Sequence, residues 1–575
     1  MRLSRRQVLA SGGILAAGAA VGVGSRPSVR GFVDLAIGRG ESRLAHVMAV
    51  TSSPPSSVTI RVDAGNVLRP ISPLIYGVAH ANADQLVALG AQLNRWGGNP
   101  NTRYNWVANA WNAARDWEFR NYGDDSGQVE VPGFAADQFV TTNQSVGVET
   151  VFTVPAMGWV ARNRDKQVQS VGVPTDGGPP LDQAAEGIPG YDPTDNRRRT
   201  SVPSFARKSG VTVNDSAVYQ DEFVRHLVSR FGLADNGGVR MYVVDNEPDL
   251  WSSTHTDVHP VQVSYDQMLA TFLEYASAIK SVDPGARVAG PALSGWTSYF
   301  YAARDRGSDA YRTHADRQAH GDMPFLPWWL EQVRKHDEQL GMRTLDVLDI
   351  HYYPQAAGVF GKADDENTRA LRLRSTRSLW DATYLDESWI NDTIRLVPRM
   401  REWIDQYYPG TRLAIGEWNW GGETSMSGAL AAADVLGTFG REGTDMASYW
   451  TFPPLDSPTA QAFAMYTHYN DAGDAFGDQA LVADVDASPD YVTAYASIDS
   501  SSNAIVVIVL NKRYDADVQA RINLEGIGSG NAQIYRYANG NSTIRQVGNA
   551  TVSDAQLIVD LPSASISLVR IPRVG

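Results

Sequence analysis

Eight short apolar runs, separated mostly by segments whose apolar residues recur at three and four, are the feature that most restricts how this chain can fold. The runs are ISPLIYGVAH (71–80), QLNRWGG (92–98), ETVFTVPAM (149–157), VRMYVVDNEP (239–248), ARVAGPALSG (286–295), VLDIHYYP (347–354), RLAIGEWNWG (412–421) and MASYWTFPP (446–454). Between them lie stretches such as SAVYQDEFVRHLVSRFG and YDQMLATFLEYASAIKSV, spaced as one face of a helix. Eight alternating strand and helix units predict an α/β fold, a (β/α)8 barrel. Parallel barrel strands are covered on both faces and so read as unbroken apolar runs, as YVV, VLDI and LAI do.

A chain of 575 residues has room for such a barrel and a further unit. From about Asp484 the pattern becomes short alternating runs, YVTAYASI, AIVVIVLNK, VQARINL, AQIYRY, AQLIVDL and SISLVRI, joined by turns rich in Gly, Asn and Ser. That is the signature of an antiparallel β-sandwich, to which VTIRVDA (58–64) offers one more strand. The expected division is a leader and poorly patterned segment (1–50), a linker with the extra strand (51–70), the barrel (71–480) and the sandwich (481–575). A polar stretch rich in Gly and Pro (161–208) interrupts the barrel as a long loop after the third strand, at its functional face.

The leader MRLSRRQVLASGGILAAGAAVGVG places Arg5-Arg6 before a weakly apolar run, resembling a twin-arginine export signal. The expected destination is therefore outside the cytoplasm, either secreted or in the periplasm or cell envelope, with no membrane segment after signal removal. A formal charge of −14 argues against a nucleic-acid partner, since phosphate contacts rest on Lys and Arg. With no Cys there is no disulfide and no thiolate metal site.

Residues with chemical potential gather at the C-terminal ends of the runs: Arg95-Trp96, Asn246-Glu247, His351-Tyr352-Tyr353, Glu417-Trp418 and Tyr449-Trp450. In a barrel that is the face where active sites are built. Among 64 acidic residues, Glu247 and Glu417 stand out because they end the fourth and seventh runs, whose strand ends face each other across a barrel mouth. Cleaving a glycosidic bond needs such a pair: one carboxyl to protonate the leaving oxygen, one to attack the anomeric carbon or activate water. The chain also carries 15 Trp and 24 Tyr, whose flat apolar faces suit stacking on sugar rings.

Together, NRWGGNPNTRYNW, FTVPAMGWVA, VVDNEPDLWSSTHTDVHP, DIHYYPQ and GEWNWGG resemble glycoside hydrolase family 44, within the clan of retaining (β/α)8 glycosidases. The resemblance runs from about Ile71 to the C-terminus and also implies the terminal β-sandwich. It implies Glu247 as general acid/base and Glu417 as nucleophile, with Arg95 helping to keep Glu417 ionised and Asn246 donating to the sugar 2-hydroxyl. It further implies Trp96, Trp159, Trp380 and Trp450 as stacking platforms, and His351 and Tyr353 as polar contacts near the nucleophile. Trp418 stands where the family more often carries Tyr, which points to altered first subsites. The implied partner is a neutral β-1,4-glucan, cellulose-like or xyloglucan, and the implied cofactor is none.

Other readings stay open at this point. His255, Asp257 and His259 in HTDVH have one-face helical spacing for a metal but lack the Glu beside the first His that metalloproteases use, and a structural calcium at Asp192 to Asp195 has no full ligand spacing behind it. A non-catalytic carbohydrate-binding protein, a glycanase of other specificity (xylan, mannan) and a transglycosylase share the same cleft chemistry.

Overall fold

The computed structural model describes residues 54–117, 119–123, 129–165, 198–208, 216–526 and 529–573. The export signal, Asp192 to Asp195 and most of the loop 161–208 lie outside the described residues.

A long strand β1 (Ser57–Pro70) precedes the barrel. Eight parallel strands then close on themselves: β2 (Gly77–Ala79), β3 (Leu93–Trp96), β4 (Glu149–Val154), β5 (Met241–Val244), β6 (Arg287–Leu293), β7 (Val347–Tyr352), β8 (Arg412–Trp418) and β9 (Met446–Tyr449). The expected (β/α)8 barrel is what forms. The main covering helices are α1 (Ala83–Leu89), α2 (Phe134–Ser145), α3 (Gln220–Phe231), α4 (Tyr265–Val282), α5 (Phe325–Leu340), α6 (Leu396–Tyr407), α7 (Met426–Glu442) and α8 (Pro458–Thr467). Several start where a short polar side chain stops the preceding loop. Asn82 and Gln85 form a reciprocal capping box on α1, while Ser264, Ser425 and Ser457 accept from the first-turn amides of α4, α7 and α8.

Strand alternation divides the barrel side chains. Leu93, Val151, Met241, Ala289, Val347 and Met446 fill the interior, whereas Phe152, Tyr242, Leu348, Ile350 and Leu413 pack outward under the helices. Apolar packing thus closes the lower interior and leaves the polar strand ends to the mouth. Among the described residues no helix is long and apolar enough to cross a membrane.

Eight further strands complete the chain: β10 (Gln479–Val485), β11 (Val492–Asp499), β12 (Ala504–Asn511), β13 (Val518–Glu525), β14 (Gly530–Ala538), β15 (Arg545–Val552), β16 (Gln556–Leu561) and β17 (Ser565–Pro572). With β1 they make one nine-stranded sheet in the order β15-β14-β17-β12-β11-β10-β1-β13-β16, antiparallel except where β1 runs parallel to β13. The antiparallel unit is therefore a single hydrogen-bonded sheet, curled so that one face of its strands shares an apolar core. Burial explains the two patterns seen in the sequence. Strand β12 is buried at every position, with Ile505, Val507 and Val509 in the sheet core and Val506, Ile508 and Leu510 in the barrel core. Strands β13 and β16 have only one covered face, so their residues alternate between buried and exposed.

Helix α7 lies between barrel and sheet and is buried along nearly its whole length. Its Asp434 carboxylate accepts from Lys512 Nζ at 2.8 Å, Thr376 Oγ1 at 2.5 Å, Thr493 Oγ1 at 2.6 Å and Tyr495 Oη at 2.8 Å. Burial pushes its pKa up, but the Lys512 charge and these donors outweigh burial and hold it below the usual carboxylate range. Both side chains of the pair are essentially inaccessible, at 0% and 2%. Removing one partner strands a buried charge, so Lys512→Ala is expected to lower stability by about 3–5 kcal/mol, read as a loss of thermal midpoint in calorimetry.

Candidate active site

The fourth barrel strand, β5, ends in an abrupt turn. Asp245 and Glu247 both adopt left-handed backbone, with φ of 61° and 45°, and Pro248 then opens a 3-10 turn. Such conformations in non-glycine residues cost about 1–3 kcal/mol each and persist only where the surroundings impose them. Here the Asp245 carboxylate does so by accepting from Asn246 N at 2.7 Å and Ala156 N at 2.5 Å, and Glu247 N donates to Ala292 O at 3.0 Å. Burial pushes the Asp245 carboxyl up to about 7 against these donors. The turn points Asn246 and Glu247 into the mouth.

The seventh barrel strand, β8, aims its carboxylate by a different device. Ile350 pairs with Ile415, but the next residue, His351, pairs with Glu417, so Gly416 is an extra residue in β8. This bulge reverses the alternation of the two residues beyond it: Glu417 reaches the site and Trp418 faces the helices. Gly416 is required because a Cβ there would lie 2.3 Å from Asp349 Oδ1 on the neighbouring strand.

Arg95, on the second barrel strand, joins the two strand ends. Its Nη1 donates to Glu417 Oε1 at 2.6 Å and its Nη2 to Asn246 Oδ1 at 2.8 Å. Tyr353 Oη donates to Glu417 Oε2 at 2.9 Å, while His351 Nδ1 stands 3.0 Å from Glu247 Oε1 and 3.5 Å from Glu417 Oε2. Asn246 Oδ1 also accepts from Gly98 N at 3.2 Å. That oxygen is thus committed within the protein, and the amide nitrogen is the part that can donate to a ligand.

The two carboxyls have unequal surroundings. Glu417 is buried, and although burial pushes its pKa up, the charges of His351 and Arg95 and the donors Arg95 and Tyr353 pull it below the usual range. Glu247 keeps more contact with solvent, at 15% of its side chain against 6% for Glu417. For His351, burial lowers the pKa, but Glu417 and the Glu247 contact raise it above the ordinary value.

Glu247, His351 and Glu417 each offer a ligand atom within 4.8 Å of the others, a set that by residue type could hold a metal. The Arg95 guanidinium already bonds Glu417 and comes within 3.4 Å of His351 Nε2, supplying a fixed positive charge where a metal ion would add a second. We therefore do not read these three as metal ligands. In HTDVH, Asp257 is engaged by Arg103 through both carboxylate oxygens, at 2.9 and 3.0 Å, and His255 is buried beside that ion pair.

The structure brings Arg95, Asn246, Glu247, His351, Tyr353 and Glu417 together, with Trp450 at the rim, half-buried 5.9 Å from the Arg95 guanidinium. Trp159, on the short strand Trp159–Ala161 after β4, is half-exposed. Three aromatic expectations are corrected. Trp96 and Trp418 alternate with Arg95 and Glu417, so they face the helix layer: Trp96 is buried against Phe139 and Phe152, and Trp418 against Phe439, Tyr449 and Phe463. Neither offers a face to a sugar. Trp380 has the Arg441 guanidinium 4.3 Å over its ring. Arg441 sits in the last turn of α7, which has run from the mouth back to the opposite end of the barrel, so Trp380 lies away from the site.

Sequence reasoning missed two residues here. Asp349 lies one inward step below His351, a position that alternation along DIHYY marks. His80, at the end of the first run, bonds Gly97 O through Nε2 at 2.9 Å and meets the Trp450 ring edge-on at 5.8 Å. Burial pushes its pKa down to about 4.

The model of glycoside hydrolase family 44 matches residues 110–356. Endoglucanase A of Paenibacillus lautus is 32% identical over 529 residues, covering 87% of this chain and 70% of the relative. The crystal structure of CelM2, a bifunctional glucanase-xylanase from a metagenome library, is 38% identical with a TM-score of 0.83, over 90% of this chain and 99% of that one. A Paenibacillus polymyxa xyloglucanase of family 44, solved with xyloglucan, is 27% identical with a TM-score of 0.78, over 90% of this chain and 100% of that one.

Arg95→Met removes a charge that, with His351, opposes protonation of Glu417 and that also bonds it directly, without leaving a large void. Because Glu417 is held below its ordinary pKa, losing that partner moves its titration upward. The expected outcome is a shift of the acid limb of activity to higher pH by about 1–3 units, read from the pH–rate profile.

Proposed function

The chain belongs to glycoside hydrolase family 44, and on that premise we propose that it cleaves internal β-1,4-glucosidic bonds of cellulose-like polysaccharide or xyloglucan with retention of configuration. Glu417 is the nucleophile and Glu247 the general acid/base. The observation that carries this reading is a close pair of carboxyls in unequal surroundings, with an oxygen of each within 4.8 Å of the other. So close an approach accords with the short carboxyl separation of retaining enzymes.

In the first half-reaction a Glu417 oxygen forms a bond to the anomeric carbon as the glycosidic C–O bond breaks, and the Glu247 proton passes to the leaving oxygen. In the second, water adds to the same carbon, gives its proton to Glu247, and Glu417 departs as carboxylate. Negative charge therefore moves from Glu417 to Glu247 and back. His351 Nδ1 stands within reach of both. The ionised state of Glu417 is supported by Arg95 and Tyr353, and the Asn246 amide is placed to donate to a sugar hydroxyl, a contact that gains strength as charge develops.

The substrate class rests on the relatives: an endoglucanase and a xyloglucanase carry related chains. Xylan is a second reading, favoured by the glucanase-xylanase at 38% identity. Such polymers lie outside the cell, in keeping with the export expected from Arg5-Arg6.

The test is release of reducing ends from carboxymethylcellulose, xyloglucan, xylan and glucomannan, with two variants in parallel. Glu417→Gln is expected to abolish release while the protein still binds polymer. Glu247→Gln should lose about 10²–10⁴-fold on polysaccharide yet keep the first step on aryl glycosides with good leaving groups, which need little acid assistance. Wild-type rates in both variants would refute the assignment, and a first-formed product of inverted anomeric configuration, seen by proton NMR, would refute retention.

A further inference from the structure

The lower barrel interior is apolar, and the layer above it holds a carboxyl that the mechanism does not use. Asp349 is 2% exposed; its Oδ1 has no hydrogen-bond partner of its own, and the donor that acts on its carboxyl is the backbone amide of Gly416 on the neighbouring strand. A carboxyl buried with so few donors is unfavourable, so its retention calls for a reason.

The reason lies across the strand pair. The register of β7 and β8 holds through Ile350 and Ile415 and then slips by one residue at Gly416. Asp349 Oδ1, Oδ2 and Cγ lie at 2.3, 2.7 and 2.9 Å from where a Gly416 side chain would begin. The Asp349 carboxyl thus occupies the space over the extra residue of the bulge, and only glycine lets β8 pass beneath it. One residue further along, the chain reaches Glu417.

We propose that Asp349 is a positioning residue for the nucleophile: its carboxyl fills the space over Gly416, fixes the bulge in one geometry and so aims Glu417 at the anomeric carbon. Without that group the bulge has room to relax, and Glu417 and its bond to Arg95 shift with it. The role is one of shape. Burial disfavours the charged form of Asp349, with His351, Arg95 and the Gly416 amide opposing and Glu417 reinforcing it; the amide contact ties the carboxyl to the bulge it fills and can be accepted equally by the oxygen of an Asn in its place. Misplacing a reacting group by about 1 Å can cost roughly 10²-fold in rate while leaving substrate contacts elsewhere in place.

This inference rests on Glu417 being the nucleophile, and the experiment separates the two. In the full chain, kcat and KM are measured for Asp349→Ala, Asp349→Asn, Gly416→Ala and the Asp349→Ala, Gly416→Ala double variant, with Glu417→Gln alongside. Asp349→Ala is expected to lower kcat by about 10–100-fold with KM nearly unchanged. Asp349→Asn, equal in shape, should recover most of it. Gly416→Ala should be as damaging alone, and the double variant should be more active than the two losses multiplied, because the new methyl enters the vacated space. Wild-type kcat in Asp349→Ala, or strictly multiplicative losses, would overturn the role. Should Asp349→Ala not fold, Asp349→Asn decides: a loss in kcat comparable to that of Gly416→Ala rejects a shape-based role. Activity in Glu417→Gln would instead remove the reading of the nucleophile.

Discussion

A buried guanidinium is tolerated only with its charge countered, and the mouth of this barrel is arranged around one. Arg95 takes its partners from different strands: Glu417 from β8, Asn246 from the turn after β5, and close contact with His351 of β7. Two residues further on, just past the end of its strand, the chain is glycine, and a Cβ at Gly97 would lie 2.4 Å from the Arg95 guanidinium carbon. Two of these partners, Asn246 and Glu417, reach Arg95 by a local departure from regular strand: left-handed residues after β5 and a bulge in β8. These irregularities are individually unfavourable; each has its own local support, Asp245 in the turn and Asp349 over the bulge, and Arg95 links the two.

The barrel and the pair Glu247 and Glu417 were legible because both arise from strong signals. Strands covered on both faces must be apolar throughout, and a polar residue ending such a run has only the rim to occupy. The aromatic residues were less legible for a reason that is also regular. Adjacent residues in a strand point to opposite sides, so Trp96 beside Arg95 and Trp418 beside Glu417 are turned to the helices. That alternation was available in the sequence and outweighs the association of tryptophan with sugar. The bulge was not available, because strict alternation from Ala414 in the interior puts Glu417 on the outer side, and only the pairing with β7 reveals the inserted residue. Trp380 belongs to a third kind of miss: its environment is set by Arg441, distant in sequence and brought close only by packing.

The antiparallel unit at the chain end was legible from the same alternation. Alternating and unbroken runs at the chain end both read as strand, and their difference encodes which strands are covered twice. What local pattern does not encode is that one continuous hydrogen-bonded sheet can wrap around its own core, since that depends on how nine strands are ordered.

That order begins with β1. Ile60 pairs on one side with Val485 and on the other with Ile522, so the first strand of the fold is completed by residues near the last. During synthesis β1 emerges long before either neighbour exists, presenting two open edges while the whole barrel is made. The final shape is therefore a closed circuit in which the early strand is held in reserve. A chain cut short before the terminal strands would lose the partners of its beginning as well as its end, so truncation from either side should act on the same sheet.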